Sequence, residues 1–283
     1  MPLEKPYFWP EWFAAGLNAS EKKKINPELI LKLNRANLYL WRALNIYDDF
    51  LDGTGQAARL PIANRYYRHF LESYYRLNLK SDFYRLLNKI LNDLDAANRA
   101  EAALEKIKTK NGKIIIPSRL PLFEPLSLSR KSLALGLGPI ALLSTLGYPA
   151  KSEKIKNTLK FFRAALAAKQ LADDAADWFE DLKNGALSAA NVLVLRAAKR
   201  DGLTLKPESE PEILYLLFAT KASGKLAADI SRLCRRARAL ADTIGLRTNN
   251  RLLREIILPL EDAIKESERF RKEFFGDDIS IPC

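Results

Sequence analysis

Histidine and cysteine are nearly missing from this chain of 283 residues, which has one histidine, His69, and two cysteines, Cys234 and Cys283. A lone imidazole excludes enzymes that gather several histidines around a metal, among them di-iron bundles built from paired Glu-x-x-His motifs. Set among tyrosines and arginines, His69 reads as a surface or packing residue rather than as part of a catalytic triad. The two distant cysteines give neither a disulfide framework nor zinc spacing, so a reducing cytoplasm is the expected compartment. Long apolar runs are lacking as well: none reaches the length of a membrane span. The opening Met1-Pro2-Leu3-Glu4-Lys5 has no basic-then-apolar signal pattern. Strand-like alternation is almost absent, which leaves helix as the dominant expectation.

What is present fits that expectation. Leucine and alanine abound, and 48% hydrophobic content can bury one large core. The chain reads as an all-α, single-domain helical bundle over residues 1–283. Its first 25 residues form an aromatic and basic arm (Tyr7, Phe8, Trp9, Trp12 and Phe13, then Lys22-Lys23-Lys24). Packing over the bundle is the favoured role for this arm, and an interfacial membrane anchor is the other reading. The net charge of +12 points to an anionic partner. Asn26-Pro27 predicts the cap and first turn of a long helix that Gly53-Thr54-Gly55 stops. Further helices are expected from Pro61, over 82–108, over 126–146 with breaks at Gly136, Gly138 and Pro139, and over 152–184. Three more are expected over 188–199, 210–245 and 249–275, the last kinked at Pro259. Asn111-Gly112 between Lys110 and Lys113 predicts a small hairpin.

Two acidic pentads end the long apolar-periodic segments: Asp48-Asp49-Phe50-Leu51-Asp52 and Asp173-Asp174-Ala175-Ala176-Asp177. On a helix, residues four apart share a face, so Asp48 projects with Asp52, and Asp173 with Asp177 and Asp181. At about 100° per residue, Gln170 and Arg163 fall near the second row, with Phe162 and Leu166 beneath it. Trp41 and Leu44 lie beneath the first row, Trp41 roughly 10 Å below Asp48. Two carboxylate rims above an apolar, aromatic well suit magnesium, which takes oxygen ligands and bridges carboxylates to phosphates. A solvated, salt-bridged helix face is the bland alternative for either pentad alone.

Leu38–Gly53 (LYLWRALNIYDDFLDG) and Gln170–Gly185 (QLADDAADWFEDLKNG) resemble the two aspartate-rich motifs of the class I isoprenoid synthases. Gln170 matches the glutamine three positions before the second DDxxD of trans-prenyl diphosphate synthases. In the same register, Gln170-Leu171, Asp177-Trp178-Phe179-Glu180-Asp181 and Gly185 resemble the QL…DxxED…G pattern of squalene and phytoene synthases. The Gly-Gly-Lys-x-Arg element of the elongating enzymes has no counterpart beyond Lys22-Lys23-Lys24. Their arginine pair after the first pentad is reduced to Arg59. The hydroxyl of the cyclases' second triad is missing from Asp174, Asp177 and Asp181.

The resemblance implies a bundle with a central apolar cavity and a magnesium-dependent prenyltransferase, using three ions, that ionises an allylic prenyl diphosphate. Condensation with a second prenyl diphosphate ranks first, head-to-head coupling close behind, then cyclisation. Asp48, Asp52, Asp173 and Asp177 are the implied catalytic aspartates; Asp49, Asp174 and Asp181 join them as metal ligands. Arg42, Arg59, Arg130, Lys131, Arg163, Lys169, Gln170 and Lys183 form the pool for the diphosphate. Trp41, Ala43, Leu44, Phe162, Leu166 and Trp178 are the expected cavity walls, shielding an allylic cation from water. Prenyl diphosphates are the expected partners, with a homodimer and a peripheral membrane contact left open and no nucleic acid expected. The rival from another class is a non-catalytic basic helical protein on acidic membrane or RNA, for which Arg232, Arg235, Arg236 and Arg238 speak.

Overall fold

The computed structural model describes residues 5–206, 217, 221–246 and 250–275. A short 3₁₀ turn, Pro6–Phe8, leads into α1 (Trp9–Gly16), α2 (Ala19–Lys22) and the long α3 (Pro27–Leu51). The chain continues through α4 (Leu60–Tyr75), α5 (Ser81–Ala102) and an antiparallel hairpin, β1 (Lys108–Lys110) and β2 (Lys113–Ile115). Two 3₁₀ stretches, Pro125–Lys131 and Leu133–Gly136, precede α6 (Leu137–Thr145), and α7 (Glu153–Lys183) is the longest element. Next come α8 (Ala189–Arg200), α9 (Lys221–Thr243), α10 (Arg251–Ile256) and α11 (Leu258–Phe275). Cys283 and the expected start of a helix at 210 lie outside the described residues.

Local chemistry sets the ends of the two motif helices. Asn26 Oδ1 accepts the Glu28 amide at 2.9 Å, and Pro27 supplies a preset first turn to α3. Ser152 caps α7, accepting the Ile155 amide. Gly53 (φ 82°) and Gly185 (φ 76°) close α3 and α7 in the left-handed region. Inside α3, Leu33, Ala36, Asn37, Leu40, Ala43 and Ile46 recur at helical spacing on the buried face. Helix α6 is buried all round from Leu137 to Leu143, as a helix without a polar face requires. It forms the centre of the bundle. Helix α7 packs along α9 and against the first 3₁₀ stretch, while α3 packs on α4.

The segment from 126 to 146 is broken as expected near Gly136, but its first half is 3₁₀ rather than α-helix. Gly136 explains the close approach there, since a Cβ on it would stand 2.9 Å from the Phe162 ring of α7. The last helix breaks at Ile257, two residues before the expected kink, because Pro259 sits in the first turn of α11, where no amide donor is needed. Helix α5 stops at Ala102 rather than near 108, and Lys108 belongs to the hairpin. That hairpin turns at Asn111 (φ 53°) and Gly112 (φ 68°), the left-handed pair that an Asn-Gly loop favours.

The amino-terminal arm packs its large aromatics into the core. Trp9, Trp12 and Phe13 are buried, and Trp9 stacks on Phe162 with ring centroids 5.4 Å apart. Two asparagines stitch the arm down. Asn37 Nδ2 donates to the carbonyl oxygens of Pro6 (3.2 Å) and Leu135 (2.8 Å), and Asn250 Nδ2 donates to that of Trp12 (3.0 Å).

Candidate active site

The turn after α3 is wound tightly by its own backbone. The Asp49 carbonyl accepts the amides of Thr54 (3.0 Å) and Gly55 (2.6 Å), and a Cβ on Gly55 would stand 2.6 Å from the Phe50 nitrogen. This leaves Asp48, Asp49 and Asp52 standing at the end of the helix. Lys131, from the first 3₁₀ stretch, reaches Asp48 Oδ1 at 3.0 Å and Glu101 Oε2 of α5 at 2.6 Å. Burial by itself would lower the Lys131 pKa; the Asp48 and Glu101 charges reverse this and raise it. Asp49 is paired with Arg59 at 3.1 Å.

On α7 the second pentad divides its labour. Asp173 accepts from the buried Lys169 on both carboxylate oxygens, Oδ2 at 2.6 Å. Asp174 is buried, accepting from Gln170 Nε2 (2.9 Å) and from the Ala189 amide at the start of α8 (2.9 Å). Burial raises its pKa, Asp173 adds to the rise, and the two hydrogen bonds and Lys131 oppose it. Asp177 is exposed. Asp181 has its pKa pushed up to about 6 by burial and by the negative charges of Asp174, Asp177 and Asp52, against a hydrogen bond with Ser188.

Asp52, capping α3, is near enough to Asp181 of α7 to add to its rise, and Lys131, in contact with Asp48, also acts on Asp52 and Asp174. The two acidic helix ends are therefore within electrostatic reach of each other, with Lys131 paired to the first of them. Asp52 itself stands at the rim with its pKa raised by the protein crowding it and then by Asp48, Glu101 and Asp49, while Lys131 works the other way. Of the second motif, Asp174, Asp177 and Asp181 take part in these interactions; Asp173 is engaged by Lys169.

The remaining expected residues scatter more widely. Arg42 lies over the Tyr66 ring of α4, 5.5 Å from its centroid, and Lys183 lies 3.9 Å over Phe179. Arg130 and Arg163 are exposed, and Arg163 does not share the buried stripe with Phe162 and Leu166. Ala43 and Phe162 have no accessible surface and Leu166 has 1%, so in this conformation they border no space that a water could enter. They are packing residues here. Trp178 is buried; Trp41 and Leu44 are half-buried, with Trp41 6.1 Å from the Tyr7 ring. A cavity of about 230 Å³ lies on another side of α7, among Ala172, Ala175 and Ala176, Leu226 and Ile230 of α9, and Ile264 of α11. None of the six expected wall residues borders it.

Glu101 was not expected in this neighbourhood. Its only sequence signal is its place in the last turn of α5, which does not reveal that α5 ends beside α3.

Among the described residues no group of three or more histidine, cysteine, aspartate or glutamate side chains is gathered closely enough to cage a metal ion. The donor set still suits magnesium, because that ion takes one or two carboxylates and completes its shell with water and phosphate oxygens. Crowded carboxylates with raised pKa values are what an added cation would relieve.

The architecture is that of the all-α isoprenoid synthases. Among solved structures, the chain is similar to a provisionally assigned geranylgeranyl pyrophosphate synthase from Corynebacterium glutamicum, with a TM-score of 0.60 and 17% identity. The match covers 93% of this chain and 82% of the other. No protein-family model and no curated protein matches the sequence. At that identity the likeness bears on the fold.

Proposed function

We propose that the chain is a prenyltransferase that ionises an allylic prenyl diphosphate and joins the resulting prenyl group to a second prenyl diphosphate. The observation that carries this reading is the placement of Lys131, 3.0 Å from Asp48 of the first motif and near enough to Asp174 of the second to act on its charge, which sets both acidic helix ends beside one ammonium. Asp48 and Asp52 on one side, and Asp177 and Asp181 on the other, are the side chains to hold magnesium. When bound, magnesium supplies Lewis-acid stabilisation of the departing diphosphate. Lys131 adds a fixed positive charge at the first row, and Arg59 adds another at the rim, where negative charge develops on the leaving group. Gln170 and the Ala189 amide fix the Asp174 carboxylate, and so set the angle at which α7 presents Asp177 and Asp181. Buried Trp178 and the apolar α6 keep bulk water from the protein beneath the acids.

A second reading, head-to-head coupling of two identical prenyl diphosphates, is favoured by one specific observation. Asp181 feels the charge of Asp52 at the end of α3, while Asp173 is held by Lys169. A working row of Asp177 and Asp181 follows the DxxED register rather than the DDxxD one.

The experiment that tests both readings is incubation with magnesium and geranyl, farnesyl or geranylgeranyl diphosphate, with and without isopentenyl diphosphate, read by mass spectrometry. Chains longer by one isopentenyl unit mean elongation; a doubled chain from the allylic diphosphate alone means head-to-head coupling. Asp48→Asn and Asp177→Asn are each expected to lower turnover by at least about 100-fold. Full activity in both variants, or no prenyl transfer by the parent enzyme, would overturn the proposal.

A further inference from the structure

The hairpin beside the acidic region carries a surface chemistry that the prenyltransferase reading does not use. From Lys106 to Phe123 the chain has five basic residues (Lys106, Lys108, Lys110, Lys113, Arg119) and no acidic one. Cross-strand pairing sets Lys108 opposite Ile115 and Lys110 opposite Lys113, all exposed, while Ile114 alone of the six paired residues is buried. Like charges directly opposite one another weaken a hairpin. Neither Lys110 nor Lys113 has an ion-pair partner among the described residues, although Lys108 has Glu105. Large apolar side chains are exposed on the hairpin and in nearby segments of the chain: Ile115 at 47%, Leu122 of the following loop at 87% and Leu203 at 46%. Leu203 belongs to the same surface because the neighbouring Leu205 carbonyl accepts the Ile114 amide at 2.8 Å.

This surface is fastened to the site. The Ile107 amide donates to the Gly185 carbonyl at 2.8 Å, at the turn that ends α7. Lys106 Nζ lies 3.8 Å from where a Cβ on Gly53 would be, at the turn that ends α3. We propose that the outer face of this hairpin, with Leu122 and Leu203, docks the protein on an anionic phospholipid bilayer. Lys110 and Lys113, side by side and without acidic partners among the described residues, fit a sheet of headgroup phosphates. Projecting leucine and isoleucine fit the acyl boundary just beneath, where a polyanion without an apolar layer would leave them in water. The docking stands on this surface alone. Its test reads binding, not turnover, and so is independent of whether the prenyltransferase reading holds.

The test is flotation of the full chain with vesicles of phosphatidylcholine, alone or with a third of phosphatidylglycerol, at low and high salt. The parent protein is expected on the anionic vesicles and to leave them in 1 M salt, where the screening length falls to about 3 Å. Lys108→Gln/Lys110→Gln/Lys113→Gln is expected to weaken binding on the order of 100-fold, about one basic contact's effect per lysine removed. Leu122→Ser with Ile115→Ser is expected to weaken it with less salt dependence. Circular dichroism melts within a few degrees of the parent would show that both variants are folded. Equal binding to neutral vesicles, retained binding in the triple variant, or preference for an RNA oligonucleotide over the anionic vesicles would overturn the proposal.

Discussion

Lys131 Nζ stands 3.0 Å from Asp48 Oδ1, so an ammonium from the broken segment before α6 sits on the first acidic pentad. Its second partner is Glu101, at 2.6 Å. Removing this cation leaves Asp48, Asp52 and Glu101 repelling one another. Lys131→Met is expected to cost about 1–2 kcal/mol of stability in chelator, a value reduced because Asp48 is half exposed. Added magnesium should then raise the melting temperature of the variant more than that of the parent. Melts with EDTA and with magnesium check this; an unchanged melting temperature in EDTA would count against the arrangement.

Asp181 gives a pH dependence with a definite sign. Its folded pKa is pushed up to about 6 by burial and by the neighbouring acids, well above the ordinary aspartate value. The folded state therefore holds its proton more tightly than the unfolded state does. The ionised group is unfavourable above about pH 6, and that penalty disappears as the pH falls below about 4. Asp181→Asn should be the more stable protein at pH 7–8, by up to about 2 kcal/mol, with the gap closing toward pH 4. Urea melts across that range in chelator measure it. A constant gap at all pH values would mean the effect is not electrostatic.

Gly185 is held in the left-handed region, and a Cβ there would stand 2.7 Å from the Ile107 carbonyl oxygen. Gly185→Ala should cost about 2 kcal/mol or more, through backbone strain and the loss of the hairpin's contact with the end of α7. Thermal melts give the cost. Hydrogen exchange at the Ile107 amide should speed up more than at amides in the middle of α7.

Phe162 is wedged between the Trp9 ring and the bare Cα of Gly136. Phe162→Ala would leave a hole that backbone on one side and an indole on the other cannot fill, and is expected to cost about 3–5 kcal/mol. Chemical denaturation checks it. A cost below about 1 kcal/mol would mean that the ring borders free space rather than packed protein.

Much of this was legible in the residues, and the failures share a cause. Asn26-Pro27, Ser152, Gly53 and Gly185 declare the ends of α3 and α7 because capping is local chemistry. Asn111-Gly112 declares its turn for the same reason. A helical wheel also put each motif's acids on a shared stripe. It put Asp173 rather than Asp174, about 100° away, with Asp177 and Asp181. What each of the two meets depends on Lys169 one turn earlier and on the Ala189 amide of a later helix. Phe162 and Leu166 drew attention as wall residues because apolar periodicity marks a buried face without telling a lined cavity from a filled core. The aromatic arm left two readings for a similar reason, since Trp12 and Phe13 look alike in sequence whether they meet lipid or other helices, and the favoured one, packing, matches their burial.

The Asn37 amide, shared between the carbonyls of Pro6 and Leu135, joins points about 30 and 100 positions away from it along the chain. Such a junction closes only after residue 135 has left the ribosome, although the arm it clamps is made first. During synthesis, then, Trp9, Trp12 and Phe13 wait uncovered while the polypeptide grows. Production at low temperature or with holdase chaperones should raise the yield of native protein more than any change to the acidic helix ends.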